Sequence, residues 1–209
     1  GALHESAEEE EDKTVNLPGM TDLHEIAEEY LRNGTLPDQT EVFEYPNPYD
    51  PDKVVTRHPG RMFLAGVNLN PIPSNTPEMD IERRIFLTTG SGKWQGMADL
   101  VYFDPQTGHR VIQDHKTTSS KKYVKDVEDL RRDTQALIYA AWAHAHFGGI
   151  PEVRLDWVYY LKTPTPTGRY KAHKVSTVIR FDDPEVQESF TEVENRARLM
   201  RRIDEAGLT

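Results

Sequence analysis

Asp99 and Asp114 stand in the middle of two apolar runs, GMADLVYF and RVIQDHKT, and Lys116 follows the second acid by two positions. A carboxylate in a strand interior is costly unless something positive lies beside it. Two carboxylates and a primary amine are also the groups that can hold a hard divalent cation and act on a water next to it, because oxygen donors suit magnesium and manganese. The turn DPQTGH between the runs closes a hairpin if Asp104 opposes His109, and the same register then sets Asp99 opposite Asp114. Opposed side chains of an antiparallel pair project from one face, about 5 Å apart at Cβ. Lys116, two residues beyond Asp114, shares that face. Two readings are open: a cross-strand Asp–Lys–Asp salt-bridge cluster, or a cation site with an ammonium alongside.

The elements that must position these groups follow from periodicity. IERRIFLTT, KWQGMADLVYF and RVIQDHKTT alternate as three antiparallel strands, and VRLDWVYYLKT and KAHKVSTVIRF read as two more around the TPTPTG loop. Asp126 to Phe147 carries Leu130, Leu137, Ile138, Ala141 and Trp142 at helical spacing and stops at Gly148-Gly149. Asp183-Pro184 opens a last helix to about Ala206, ended by Gly207. Thr21 to Arg32 is an amphipathic helix with Thr21 as N-cap and Asn33-Gly34 as its stop. Residues 37–80 are dense in proline and are expected to be long surface loops around a short apolar piece at Met62 to Val67. The order of elements predicts an α/β fold, a sheet of about five strands covered by helices.

The chain of 209 residues is the size of one domain, expected to span 21–209 behind an acidic, flexible segment at 1–20. It has no cysteine, which excludes disulfides, thiolate zinc sites and cysteine-held iron–sulfur clusters. No apolar run approaches the roughly 18 residues a membrane span needs, and the expectation is a cytoplasmic protein with no membrane partner. The net charge of −10 is partly a tail effect: six of the 35 acids lie in residues 1–12, leaving 29 against 25 bases. Nucleic acid is therefore not excluded, since a cation bound by acids reverses the local sign. GSGK at residues 90–93 looks like the end of a phosphate loop, but Leu87 and Trp94 stand where Gly and Ser or Thr belong, so no ATP site is expected. His144 and His146, two apart on a helix, diverge and make a poor chelate.

Gly96-Met97-Ala98-Asp99, a hairpin, and then Asp114-His115-Lys116 resemble the G-x-x-D and D-x-K motifs of the PD-(D/E)XK nuclease superfamily. In the next helix Gln135 and Tyr139, one turn apart on one face, resemble the Q-x-x-x-Y motif of its RecB-type branch. That branch also carries H-x-x-x-E on an N-terminal helix, which His24 and Glu28 match; His4 and Glu8 match it too, but His24 is preferred because an intact helix follows it. The resemblance spans about residues 21–162. It implies a restriction-endonuclease-like mixed sheet flanked by helices. It also implies one or two magnesium or manganese ions held by His24, Asp99, Asp114 and the carbonyl of His115. The reacting groups would be Asp99, Asp114 and Lys116, with Gln135 and Tyr139 positioning a strand. Glu82 is a weaker candidate for a further ligand.

The implied activity is that of a DNA exonuclease in repair, recombination or phage DNA processing, with room for a recombination partner protein. Lacking the four cysteines of the iron–sulfur relatives and any helicase motor, the chain resembles the stand-alone enzymes. Lys116, Lys121, Lys122, Lys125, Arg131 and Arg132 with Tyr123 could follow phosphates and stack a base, or form a solvated loop with Asp126, Glu128 and Asp129. The alternative of another class is a catalytically silent DNA-binding or scaffolding module; a complete acid and lysine set speaks against it.

Overall fold

The computed structural model describes residues 26, 29–30, 32–33, 36–47, 50–69 and 78–207. Ile26, Glu29, Tyr30, Arg32 and Asn33 are helical. The rest of that predicted helix, His24 and Glu28 included, and the acidic residues 1–20 with His4 lie outside the described residues. The proline-rich stretch expected to be loop is instead largely regular. β1 (Phe43–Asn47) and β2 (Asp50–Arg57) pair as an antiparallel ribbon, followed by helix α1 (Pro59–Leu69). Prolines mislead here for physical reasons: a two-stranded ribbon leaves one edge of each strand unpaired, and Pro59 occupies a first helical position where no N–H is needed.

Five strands, β3 (Asp80–Thr89), β4 (Gly92–Asp104), β5 (His109–Thr118), β6 (Glu152–Leu161) and β7 (Ala172–Arg180), lie side by side in chain order. β5 and β6 are parallel and every other pair is antiparallel. A parallel neighbour cannot be reached by a tight turn. The crossover runs through a short 3-10 turn, α2 (Val127–Arg131) and α3 (Thr134–His146), and α4 (Pro184–Glu205) closes the chain. The single helix expected over Asp126 to Phe147 is thus two. Asp126 caps α2 through the N–H of Asp129, and Asp133 caps α3 through the N–H of Ala136 at 2.9 Å. A short acid at each start competes for backbone donors that a continuous helix would use.

β6 shows how the sheet is covered. Leu155, Trp157 and Tyr159 pack with Leu137, Tyr139 and Ala140 of α3, while Val158 and Tyr160 pack with Met62 and Phe63 of α1. Ile26 and Tyr30 join the second layer, with the Tyr30 ring edge-on to Phe63 at 5.4 Å. The fold is an α/β sandwich with α2, α3 and α4 on one face and α1 with the N-terminal helical residues on the other. No described helix is long and apolar enough to cross a membrane.

Gly66 lets α1 sit against Tyr160, since a Cβ there would fall 2.3 Å from the ring's Cε1. Tyr160 is buried on every side and has nowhere to move. Gly66→Ala is expected to cost about 1–3 kcal/mol through overpacking, read as a lower midpoint in urea or thermal unfolding; an unchanged midpoint would contradict this account of the α1 contact.

Candidate active site

Register between β4 and β5 is the one the turn predicts: Asp104 faces His109, and Leu100 faces Gln113. The backbone ladder ends at that last pair, one step before Asp99 and Asp114. The two acids therefore do not form a ladder pair. In its place the Asp99 side chain reaches across, and its Oδ2 accepts the His115 N–H at 2.5 Å.

The cause lies one strand away. Pairing of β3 with β4 skips Glu82 and Asp99, passing from Ile81–Leu100 to Arg83–Ala98. Glu82 is the only described non-glycine residue with positive φ, at 52°, a left-handed conformation that glutamate seldom adopts. Side-chain alternation slips at the same step: Ala98 and Ile85 face α3, whereas Leu100 and Ile81 face the other layer. Beyond this point β4 pairs only with β3, and β5 pairs only with β6. The sheet forks, and both acids stand at the fork.

Asp114 and Lys116 leave β5 toward α3, on the face of Ile112. Asp114 is 4% exposed. Its Oδ2 lies 2.5 Å from the Lys116 ammonium, its one close polar contact among the described residues. Lys116 donates to Gln135 Oε1 at 2.9 Å, and Gln135 Nε2 donates to Asp114 Oδ1 at 3.2 Å and to the Tyr139 hydroxyl at 2.9 Å. Tyr139 in turn donates to the Met97 carbonyl on β4 at 2.5 Å. The ammonium can only donate and the carboxylate can only accept, so the amide of Gln135 can stand only one way. The pair spans the fork, with Gln135 on the β5 prong and Tyr139 on the β4 prong. Gly96 of G-x-x-D gains a reason as well: a Cβ there would lie 3.0 Å from the tyrosine ring.

His115 points the other way, toward α1. Its Nε2 faces the Gln113 amide nitrogen at 2.7 Å and its Nδ1 faces the Tyr160 hydroxyl at 3.0 Å. An amide nitrogen only donates, so Nε2 accepts and Nδ1 carries the proton. Gln113 and Tyr160 were not legible as site residues; only the two-residue alternation of β5 and β6 could have placed them beside His115.

Other predicted groups are spent elsewhere. Lys125 pairs with Asp133, and Arg131 pairs with Asp183 at 2.5 Å. Lys122 lies over the exposed Tyr123 ring at 4.7 Å, and Lys121 and Arg132 remain exposed. His144 binds the Ile150 carbonyl while His146 stacks on Trp142, so the two do not converge. GSGK forms the turn between β3 and β4, not a strand-to-helix phosphate loop.

The sequence matches the PD-(D/E)XK nuclease superfamily over residues 4–207. This chain belongs to that superfamily. The superfamily is one of nucleases, and its members generally use divalent metal ions. No curated protein matches. Among solved structures the crystal structure of SSO0001 is matched at 15% identity and a TM-score of 0.32, over 64% of this chain and 55% of that one. The PD-(D/E)XK chain therefore spans about half the length of that protein.

A divalent ion suits the donor set. Asp99 and Asp114 offer hard oxygen donors, and a buried carboxylate oxygen held only by an ammonium is poised to exchange it for a metal. Among the described residues no three His, Asp or Glu side chains converge, so further ligands would be backbone carbonyl, water or residues outside that set. Burial raises the Asp114 pKa above the ordinary value, and Lys116 draws it back. A carboxyl with a raised folded-state pKa costs stability while ionised, and the cost is relieved as pH falls through that value. Asp114→Asn in chelator at pH 7 should melt at or above the wild type, with the difference shrinking as pH is lowered, and added manganese should raise only the wild-type Tm. A variant melting several degrees lower at pH 7 would contradict this.

Proposed function

We propose that this chain is a metal-dependent deoxyribonuclease of the RecB-type branch, a stand-alone exonuclease acting on DNA ends in repair, recombination or phage DNA processing. The reading rests on one observation above all: Asp114, nearly inaccessible to solvent, keeps an oxygen that only Lys116 touches, in a fork of the sheet braced by Gln135 and Tyr139. A structural ion pair needs no such fork.

Asp99, Asp114, the His115 carbonyl and His24 are the groups that would hold magnesium or manganese. When bound, that ion supplies charge neutralisation and a more acidic water. Lys116, fixed by Gln135, orients the attacking water or stabilises charge that gathers on the phosphate. Asp99 ties the His115 backbone to β4, and the clamp of Gln113 and Tyr160 on the imidazole keeps that peptide from turning. Tyr139 holds the prongs at fixed separation, which is the preorganisation a phosphodiester needs. A recombination protein as partner belongs to the same reading.

The closed Asp114–Lys116 contact also favours a second reading, a catalytically silent DNA-binding or scaffolding module. End-labelled single- and double-stranded DNA, incubated with manganese, magnesium or EDTA, separates the two. Metal-dependent product ladders are expected from the wild type, falling at least about 10²-fold in Asp114→Ala and Lys116→Ala. Ladders that persist in EDTA or in Asp114→Ala would overturn the mechanism, and no cleavage with either metal would favour the silent module.

A further inference from the structure

The turn GSGK, set aside as a phosphate loop, forms one wall of a groove of about 400 Å³. Lys93 and Trp94 of β4, Thr134 at the start of α3, and Arg196, Met200 and Arg201 of α4 line it. Three of its side chains are cationic and no carboxylate lines it, in a chain whose net charge is −10. Lys93 and Arg201 make no ion pair or hydrogen bond among the described residues, and Arg196 shares only an exposed contact with Glu192 at 3.3 Å. Trp94 is half-buried and pinned by its indole N–H to the Thr89 hydroxyl at 3.1 Å. The Arg201 guanidinium lies against the turn at Gly92, whose φ is +145°.

The groove lies on the same side of the sheet as the fork. Trp94 packs against the α3 side of the sheet, the face from which Asp114 and Lys116 project, and Thr134 adjoins Gln135. Along β4 from Trp94 to Asp99 is about 16 Å at strand rise. A volume this size is that of a small-molecule site and admits a short unpaired stretch, not a duplex.

We propose that this groove is a track for a single DNA strand, in which Lys93, Arg196 and Arg201 hold phosphates and Trp94 supports a base, a few nucleotides from the reaction centre. The choice of occupant rests on the nuclease reading, and the charge pattern fits it. Lys93 and Arg201, with no acid partner among the described residues, take phosphates at no cost in broken ion pairs, Arg196 gives up only its exposed contact with Glu192, and an aromatic among them is the pattern of sequence-tolerant strand binding.

Binding in EDTA isolates the groove from the chemistry. Fluorescein-labelled oligo(dT) of increasing length and a blunt duplex are titrated by anisotropy against wild type, Lys93→Gln/Arg201→Gln and Lys93→Gln/Arg196→Gln. The last pair leaves the Arg201–Gly92 contact intact should the first variant fold poorly. Oligo(dT) affinity is expected to fall at least tenfold in both. The slope of log K against log salt should drop by about 1.4, two phosphate contacts at roughly 0.7 each. Oligo(dT) should also quench tryptophan fluorescence in the wild type and not in Trp94→Phe, because Trp142 and Trp157 are buried. Unchanged affinity and slope in both double variants would overturn the track, as would polyglutamate competing as well as oligo(dT), which would make this an acidic-protein site. A protein that binds oligo(dT) through these residues yet cleaves nothing with either metal would keep the track and sink the nuclease reading.

Discussion

The structure turns on the break in pairing at Asp99. An antiparallel hairpin with a good turn would ordinarily zip along its whole length, and Asp114 would then face a backbone neighbour in a closed sheet. Glu82 in a left-handed conformation and the skip in register at Asp99 stop the zip and let the two prongs diverge. The Asp99 carboxylate replaces the missing backbone acceptor for His115, so it is at once a structural splice and a chemical group. Everything else at the site serves that opening: Gly96 admits the Tyr139 ring, Tyr139 and Gln135 cross the gap, and α3 restarts at Asp133 so that Gln135 falls in its first turn.

A second mid-strand acid sharpens what sets Asp114 apart. Asp156 on β6 is wholly buried, yet it has Lys174 at 3.0 Å, Arg154 at 3.3 Å and the Ser176 hydroxyl at 2.7 Å. Two cations and a hydroxyl surround it, as a buried charge requires if its role is only structural. Asp114 has one ammonium and one amide, and the ammonium is itself a third exposed. The sheet therefore holds one buried acid with two cations beside it and one with a single cation, and the second is the one with room for a further positive charge.

Much of this was legible in the sequence because the signals were local. Alternation gave all five strands of the main sheet within a residue or two, and the turn at Asp104 to His109 gave the register that brings β4 and β5 together. The D-x-K lysine and the Q-x-x-x-Y pair were readable because two-residue and four-residue spacings map directly onto strand and helix faces. What was hidden was non-local or competitive. Prolines in β1, β2 and α1 looked like breakers because nothing in the sequence says that a strand will be an edge. One helix became two because Asp133 offered a better cap than continuation. The slip at Glu82 and Asp99 leaves no mark in composition, so the acids were expected face to face when the ladder in fact ends one pair earlier. Gln113 and Tyr160 entered only through the contact between α1 and β6.

The proposed reaction requires one divalent ion shared by Asp99 and Asp114 at the fork. Anomalous diffraction from crystals grown with manganese tests this most directly. A peak about 2.1 Å from a carboxylate oxygen of each aspartate, with the Lys116 ammonium displaced from Asp114, is the predicted result. Crystals holding manganese elsewhere, with Asp114 still closed on Lys116 and no density between the two acids, would contradict it.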